Sequence, residues 1–380
     1  MGTTVAAGVE EEFHTVDLDT GLLTAQADQL LDRLPRGRFS AELHRSVLEA
    51  NSRPWVHLAD LADDVAGLRR AAVDVAQPLG LGVVAAGTVP LADPDALGVT
   101  ADPRYEHMSG EYRMLVREHL ICALQVHVDV NGRDQAVAVA HRVSPWLPVL
   151  LALSASSPFW LGTDTGYASY RTLIWRRWPT ARAMARFDSA ADYDQTVADL
   201  VQSGVISDPG MIYFDVRPSA HLPTVELRIC DACPLVDDVL MLTGLFRALV
   251  IQETAAAIAC SPPRPVRPEL IEAATWRAAQ SGLEGQLVDP STATAMPAHE
   301  LVRQLLAELR PTLEAVGDWE LLTELTESAL ARASSAARQR AAYVTGGYRG
   351  VVEALLAETR AFGAGAGGEA IPEAGEMSPG

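Results

Sequence analysis

The sequence predicts an α+β fold, with one open sheet face as the floor of a site and a helical C-terminal part packed beside it. Short strand patterns that alternate polar and apolar residues occur far apart in the chain, with helical patterns between them. From Val236 to about Ala361 the chain is almost entirely helical by pattern, with breaks at Pro262–Pro268 and at 286–297. Separate runs of strands and helices are typical of the α+β class.

The size and composition bound the domain organisation. The chain has 380 residues, of which 48% are hydrophobic, so it can bury a sizeable core. We assign residues 1–362 to a single domain, of which 236–362 is mainly helical. The remaining 363–380 is rich in Gly, Ala, Pro and Glu and is predicted to be a disordered tail.

The charged residues exclude several classes of protein. The net charge of −19 argues against a nucleic-acid partner and against anionic membranes. The sequence contains no lysine, which excludes a P-loop, a protein kinase and a pyridoxal phosphate site. We see no signal peptide, and the longest apolar run, 145–153, is too short to span a membrane, so we expect a soluble cytoplasmic protein.

The remaining elements follow from periodicity and from turn residues. The stretch 39–50, with Glu42 and Glu49 as its acidic residues, is left without an assigned element. We predict helices over 24–34, 58–79, 111–120, 133–153 with a break at Ser144–Pro145, and 189–202; a buried strand over 81–86; irregular chain over 91–104; and a long loop over 154–171.

The stretch Gly8–Phe13 contains three consecutive glutamates. In a strand, Glu10 and Glu12 share one face and lie about 7 Å apart, while Glu11 points to the other face and is expected to be dispensable. Two carboxylates this close repel each other unless a positive charge lies between them, and a divalent cation is the simplest candidate. A solvated acidic edge strand is the alternative for this stretch taken alone.

Two later strands also carry polar faces. In Ala123–Val130, one face presents Gln125, His127 and Asp129. In Thr224–Ile229, which we pair with Ile212–Arg217, one face presents Thr224, Glu226 and Arg228.

The three polar faces together form a metal-ligand set. Glutamates with one histidine suit Mg²⁺ or Mn²⁺ better than zinc. Metals with arginines are typical of phosphoryl chemistry, and Arg228 is the best-placed arginine. Arg104, Arg171 and Arg277 are weaker candidates, for which surface salt bridges are the alternative.

Three motifs resemble the type 2 glutamate–cysteine ligase family, also called the carboxylate–amine ligase family. They are the GVEEEF stretch at 8–13, the DTGYASYR stretch at 164–171, and DVRPS at 215–219 followed by PTVELRICD at 223–231. The family is similar in fold to the catalytic domain of glutamine synthetase, which implies a curved antiparallel sheet holding ATP and two or three divalent cations.

The resemblance implies roles for individual residues. Glu10, His127 and Glu226 match ligands of the cation that bridges the ATP phosphates, and Glu12 and Glu49 match ligands of a second cation near the acceptor carboxylate. The other roles that we assign are catalysis by Arg228 and Glu49, nucleotide binding by Arg104, Arg228 and Arg277, and substrate binding by Thr88, Tyr105 and Arg171.

The resemblance implies an ATP-dependent ligase that forms an amide through an acyl phosphate, with the γ-carboxylate of glutamate as the activated group. The same chemistry on another amine or carboxylate is an alternative, and a guanidino-type phosphotransferase or a non-catalytic nucleotide-binding relative are others. The partners are small-molecule acids and amines, and a homodimer or larger homo-oligomer is expected.

Overall fold

The structure, a computed structural model, describes residues 4–362. The predicted tail, 363–380, lies outside the described residues. The strands in chain order are β1 (Ala7–Asp17), β2 (Phe39–Ala41), β3 (Val47–Asn51), β4 (Leu81–Val84), β5 (Leu124–Asp129), β6 (Phe159–Trp160), β7 (Thr163–Asp164), β8 (Val216–Pro218), β9 (Thr224–Leu227), β10 (Gln286–Asp289) and β11 (Thr294–Pro297).

Helices make up most of the rest of this part of the chain. They are α1 (Ala27–Leu31), α2 (Leu58–Ala76), α3 (Pro103–Tyr112), α4 (Met114–Arg117), α5 (Arg133–Val143), α6 (Leu147–Ser154), α7 (Tyr170–Trp175), α8 (Ala190–Gln202), α9 (Val236–Ile258), α10 (Pro268–Ser281), α11 (Ala298–Val316), α12 (Trp319–Arg332) and α13 (Ser335–Thr359). Short 3-10 helices cover Gln77–Leu79, Ser144–Trp146 and Pro209–Met211. The predicted α+β class is confirmed.

Most long elements lie where the sequence predicts them, and the differences have local causes. The helix predicted over 24–34 shrinks to α1, and the unassigned 39–50 stretch forms the β2–β3 hairpin. The chain predicted as irregular up to residue 104 already enters α3 at Pro103. The N-cap signal was present, because the Asp102 side chain accepts from the Arg104 backbone N–H and proline suits the first helical turn. The breaks at 154–171 and 286–297 contain the hairpins β6–β7 and β10–β11.

The main sheet has seven strands, with the order β2-β3-β1-β5-β9-β8 and with β4 also paired to β1. Every pairing in it is antiparallel. Strand β1 therefore has a central place. Its register sets Glu12 opposite Glu49 and Gly8 opposite His127, which in turn lies opposite Glu226.

The apolar face of the sheet packs on helices. Val9, Val126 and Val225 are buried in the main core together with residues of α5 and α9. In α9, every residue from Asp238 to Val250 is buried. The helices therefore cover one sheet face, and the polar side chains that alternate with these valines lie on the other face.

Two helical stretches, Arg133–Ser154 and Val236–Ile258, are long and apolar enough to cross a membrane by length and composition alone. Within the fold, 83% and 67% of their most apolar windows are buried. Such burial is typical of core helices in a soluble protein.

A buried ion pair fixes β1 from its apolar side. Glu11 points away from the polar face, as predicted, and meets Arg69 of α2 with Oε1 2.6 Å from Nη2 and Oε2 3.2 Å from Nε. The exposed fractions are 3% for Glu11 and 0% for Arg69. Arg69 also donates to the backbone carbonyls of Cys233 and Pro234, just before α9. The expected dispensability of Glu11 does not fit this burial.

We predict that Glu11→Gln lowers the free energy of unfolding by about 3–5 kcal/mol, because it leaves the Arg69 charge buried without its carboxylate. Denaturant unfolding measures the change, with Glu324→Gln on the exposed side of α12 as the control. A loss below about 1 kcal/mol, the range of an exposed pair, would contradict a structural role for the ion pair.

Candidate active site

Three strands bring Glu10, His127 and Glu226 together on the polar face of the sheet. One potential ligand atom from each residue lies within 4.8 Å of the other two. The Nε2 atom of His127 is 3.2 Å from Oε1 of Glu10, and its Nδ1 is 2.9 Å from the hydroxyl of Thr224. We call this group the mixed centre. It unites the residues that the sequence predicts as one ligand set.

Arginines flank the mixed centre and set its protonation states. Arg217 contacts both carboxylate oxygens of Glu226, at 2.7 and 3.2 Å, and Arg228 contacts one of them. Burial favours the protonated acid, but the two arginines and His127 outweigh it and hold the pKa of Glu226 well below its usual range. Burial alone would lower the pKa of His127, but the negative charges of Glu10 and Glu226 have the larger combined effect. The pKa of His127 is therefore raised above its ordinary value.

A second carboxylate group lies two residues along β1. Glu12 and Glu49 face each other across β1 and β3, and Glu42 joins them from the turn after β2. The three offer ligand oxygens within 4.8 Å of one another, and we call them the acidic centre. The sequence prediction included Glu12 and Glu49 but missed Glu42. Assigning 39–51 as a hairpin would have found it, because the turn after β2 lies beside the strand that carries Glu49.

The acidic centre holds more negative charge than its neighbours neutralise. Burial and the nearby Glu49 raise the pKa of Glu12 to about 7, although Arg171 and Arg228 act in the opposite direction. Burial and the other two carboxylates raise the pKa of Glu42 well above its usual value, and burial and Glu10 raise that of Glu49. A compact group of carboxylate oxygens with raised pKa values fits a hard divalent cation.

Arg228 connects the two centres. One of its terminal nitrogens contacts both Glu226 and the side-chain oxygen of Gln125. The amide nitrogen of Gln125 donates to Glu12 at 3.2 Å. The Arg228 guanidinium also lies 5.7 Å from the ring centre of Trp175 and 6.0 Å from that of Tyr213, so it is held from several sides.

A small cavity of about 70 Å³ lies beside the acidic centre. Its lining has three chemical parts. They are an acidic end at Glu12 and Glu42, a basic part at Arg104, Arg171 and Arg228, and an aromatic part at Tyr105, Trp175, Trp178 and Tyr213. His119 and Gln125 also line it. This arrangement can hold an anionic group at the basic part and a carboxylate-bound cation at the acidic end.

Several sequence-predicted residues do line this cavity. Arg104 is held by Asp208, with Nε 2.8 Å from Oδ2. Burial and nearby Glu42 raise the pKa of Tyr105, so its hydroxyl stays a neutral donor. Arg171 donates to the backbone carbonyls of Arg228 and Ile229, and therefore also anchors the segment directly after β9 that carries Arg228.

Two predicted residues lie elsewhere. Thr88 is buried, donates its hydroxyl to the Phe159 carbonyl at 2.8 Å and is not among the residues that line the cavity. This position gives no support to its assignment to substrate binding, which stays a prediction. Arg277 lies on α10 with its guanidinium 5.5 Å from the ring centre of Trp276, also outside the cavity. Both were assigned from the sequence alone, which does not reveal where a side chain points at these positions. The residues that the prediction missed are Glu42, Arg217 and His119.

The raised pKa of Glu12 predicts a pH-dependent stability difference between the wild-type protein and Glu12→Gln. The Glu12 carboxyl has a pKa of about 7 in the folded state, against an ordinary value of 4.5, so between these pH values the folded state holds a proton that the unfolded state has lost. The contribution of Glu12 to the free energy of unfolding therefore falls as the pH rises through this range. Glutamine does not titrate. We therefore expect the free energy of unfolding of the wild-type protein, relative to that of Glu12→Gln, to fall by up to about 3 kcal/mol over this range.

Denaturant unfolding at pH 4.5 and pH 8 with a chelator present measures this difference. Glu324→Gln, at an exposed glutamate of α12, is the control. A difference for Glu12→Gln that stays constant or grows with pH would contradict the raised pKa.

Comparison with known proteins assigns the family. A profile of glutamate–cysteine ligase family 2 (GCS2) matches residues 6–355. A Frankia casuarinae protein named as a candidate glutamate–cysteine ligase 2-2 is 57% identical over 94% of this chain, but the chain spans only 42% of that relative. A Mycolicibacterium smegmatis protein with the same candidate name is 50% identical, with 93% of this chain and 89% of the relative covered.

Solved structures share the fold at low sequence identity. A glutamate–cysteine ligase from Francisella tularensis in complex with AMP has a TM-score of 0.71 at 12% identity, with 94% of this chain and 88% of that chain covered. A bifunctional glutathione synthetase from Pasteurella multocida has a TM-score of 0.69 at 15% identity, with 94% and 52% covered. The predicted resemblance is confirmed: the chain belongs to glutamate–cysteine ligase family 2.

Proposed function

We propose that this protein is an ATP-dependent ligase that joins a carboxylate to an amine. The observation that carries the proposal is that two carboxylate-rich centres, joined by Arg228, lie on one sheet face beside a cavity with a basic part. Membership of the family supports the same chemistry. Glutamate is the proposed acid, because the arginines of the cavity suit an acid with a second anionic group.

Mg²⁺ or Mn²⁺ is the proposed cation at both centres. Glu10, His127 and Glu226 would hold one ion, and Glu12, Glu42 and Glu49 another. Oxygen-rich ligand sets suit these ions, and the raised pKa values of the acidic centre are the mark of carboxylates that lack enough positive charge. When bound, the cations supply positive charge next to phosphate oxygens and so favour phosphoryl transfer.

The nucleotide is proposed to lie on the far side of the mixed centre from the substrate cavity. A larger cavity of about 340 Å³ borders Glu10 and His127, with apolar lining from Val9, Leu222 and Pro223. A base and its ribose would fit this lining with the phosphates directed toward Glu10 and His127. This location supports no nucleotide contact for Arg277.

The proposed reaction follows from the reactivity of the groups. A carboxylate does not react with an amine because its oxygen is a poor leaving group. Transfer of the γ-phosphoryl group from ATP to a carboxylate oxygen gives ADP and an acyl phosphate. The amine lone pair then attacks the acyl carbon, the carbon–oxygen bond to phosphate breaks, and the amide nitrogen loses a proton.

The chain's own residues orient the reactants and stabilise charge. Arg228 lies between the two centres, where its guanidinium can donate to oxygens of the group in transfer. Arg104 and Arg171 are proposed to hold the second anionic group of the acid. Glu49, with Glu12 and Glu42, would keep the reacting carboxylate oriented through the cation that they share.

The site of action and the assembly are also proposals. Cys122, Cys230 and Cys233 are buried free thiols and Cys260 is an exposed one, which is consistent with a reducing cytoplasm. A homodimer or larger homo-oligomer stays a prediction from the family resemblance.

The central test is ADP release by the purified protein. With ATP, Mg²⁺, glutamate and a panel of amines that includes cysteine, we expect ADP only when acid and amine are both present, and a product with the mass of acid plus amine minus water. Chelator should abolish the reaction, and Mg²⁺ or Mn²⁺ should restore it. Absence of ADP with every acid–amine pair, or a phosphorylated product without an amide, would refute the ligase proposal.

A matched pair of arginine variants tests the role of Arg228. We expect Arg228→Gln to lower kcat by about 10²–10³-fold, because it removes a charged donor next to the transferring group. Arg277→Gln, at a residue outside the cavity, should keep kcat within about twofold of wild type. Equal losses in the two variants, measured in the ADP assay, would exclude a special role for Arg228.

A further inference from the structure

His119 is a cavity residue to which the proposed reaction assigns no role. Its ring stands edge-on to Trp178, with ring centres 5.4 Å apart, and lies 5.7 Å from the ring centre of Trp175. The guanidinium groups of Arg171 and Arg228 lie 5.6 and 5.7 Å from the same Trp175 ring. His119 therefore packs on the same tryptophan as two arginines of the basic part and lines the same cavity.

A hydrogen bond from Trp178 fixes the tautomer of His119. The indole Nε1 of Trp178 lies 3.0 Å from Nδ1 of His119. An indole nitrogen can only donate, so Nδ1 must accept and a neutral ring carries its proton on Nε2. In the described part of the chain, residues 4–362, no protein atom accepts a hydrogen bond from Nε2.

The surroundings keep this ring neutral. Burial and the positive charges of Arg171, Arg177 and Arg228, together with His44, hold the pKa of His119 well below its usual value. The cavity thus contains an uncharged donor in a fixed orientation near the arginines of its basic part. A donor of this kind can distinguish a ligand that has an acceptor at this position from one that lacks it, since the unpaired donor makes binding of the second ligand costly.

We propose that His119 is a specificity-determining residue, which donates its Nε2–H to the second anionic group of the acid substrate in the tautomer that Trp178 sets. This inference rests on the proposed ligase function and adds a residue and a selection rule to it. An acid that has the reacting carboxylate but no second anionic group would leave the Nε2–H unpaired.

The test compares two acids in the ADP assay with one fixed amine. Glutamate has both carboxylates, and 4-aminobutyrate has only the one that would react. We expect His119→Phe, which keeps an aromatic ring without the donor, to lower kcat/KM for glutamate by about 10–100-fold and to leave that for 4-aminobutyrate within about threefold of wild type. His119→Gln, which keeps a donor on a side chain of similar reach, should restore most of the preference for glutamate.

A double-mutant cycle tests the link to Trp178. Trp178→Phe removes the N–H that sets the tautomer of His119 and should lower the preference for glutamate over 4-aminobutyrate. In the double variant this loss should not add to the loss caused by His119→Phe alone. His299→Gln, at an exposed histidine of α11, is the control and should leave kcat/KM unchanged for both acids. Equal losses for both acids in His119→Phe, or additive losses in the cycle, would overturn the inference.

Calorimetric binding of glutamate to the full chain separates this inference from the proposed function. If wild type releases no ADP with any acid–amine pair, the ligase proposal fails and His119 is judged by binding alone. If His119→Phe is folded and binds glutamate more weakly than the wild-type protein does, the role of His119 is still supported. Equal binding by the two, or no binding to wild type, would overturn it.

Discussion

The ion pair between Glu11 and Arg69 is the constraint on which the site depends. It locks the orientation of β1, the strand that pairs with β3, β4 and β5. A strand turned to its other face would bury Glu10 and Glu12 and expose Glu11, with no partner for the buried Arg69. The same arginine binds the chain just before α9, so the sheet and the central helix are held in one arrangement. The polar face of the sheet follows from this arrangement.

The two centres on that face differ in charge balance. In the mixed centre, Arg217 and Arg228 already neutralise Glu226, and its pKa is depressed. In the acidic centre, three carboxylates share few positive neighbours, and their pKa values are raised. A cation therefore gains more electrostatic energy at the acidic centre, whereas the mixed centre suits an ion that arrives with an anionic ligand of its own. This difference agrees with the proposed placement of the nucleotide at the mixed centre and of the acid substrate at the acidic centre.

Strand alternation explains how much of the site the sequence could predict. The mixed centre was predictable because Glu10, His127 and Glu226 lie in strands with clean polar and apolar faces. Apart from Glu12 and Gln125 on β1 and β5, the polar cavity residues come from turns, loops and short helices, where no periodicity tells which way a side chain points. Glu42 and His119 were missed for this reason, and Thr88 was assigned to substrate although it faces Phe159. The α+β class and the long helices followed from patterns that extend over many residues.

Each of the two centres takes one glutamate from β1, Glu10 for the mixed centre and Glu12 for the acidic centre. This shared strand limits how proteins of the family can vary. In an extended strand, residues two apart are separated by a backbone repeat of about 7 Å. The spacing between the two centres is thus a property of the main chain. In the proposed reaction, side-chain substitutions around the cavity can therefore change the acid or the amine without altering this spacing. A one-residue insertion between Glu10 and Glu12 would place the two glutamates on opposite faces. Evolution of new substrates in this scaffold is therefore expected to proceed through the turns and short helices that line the cavity, with the spacing along β1 left intact.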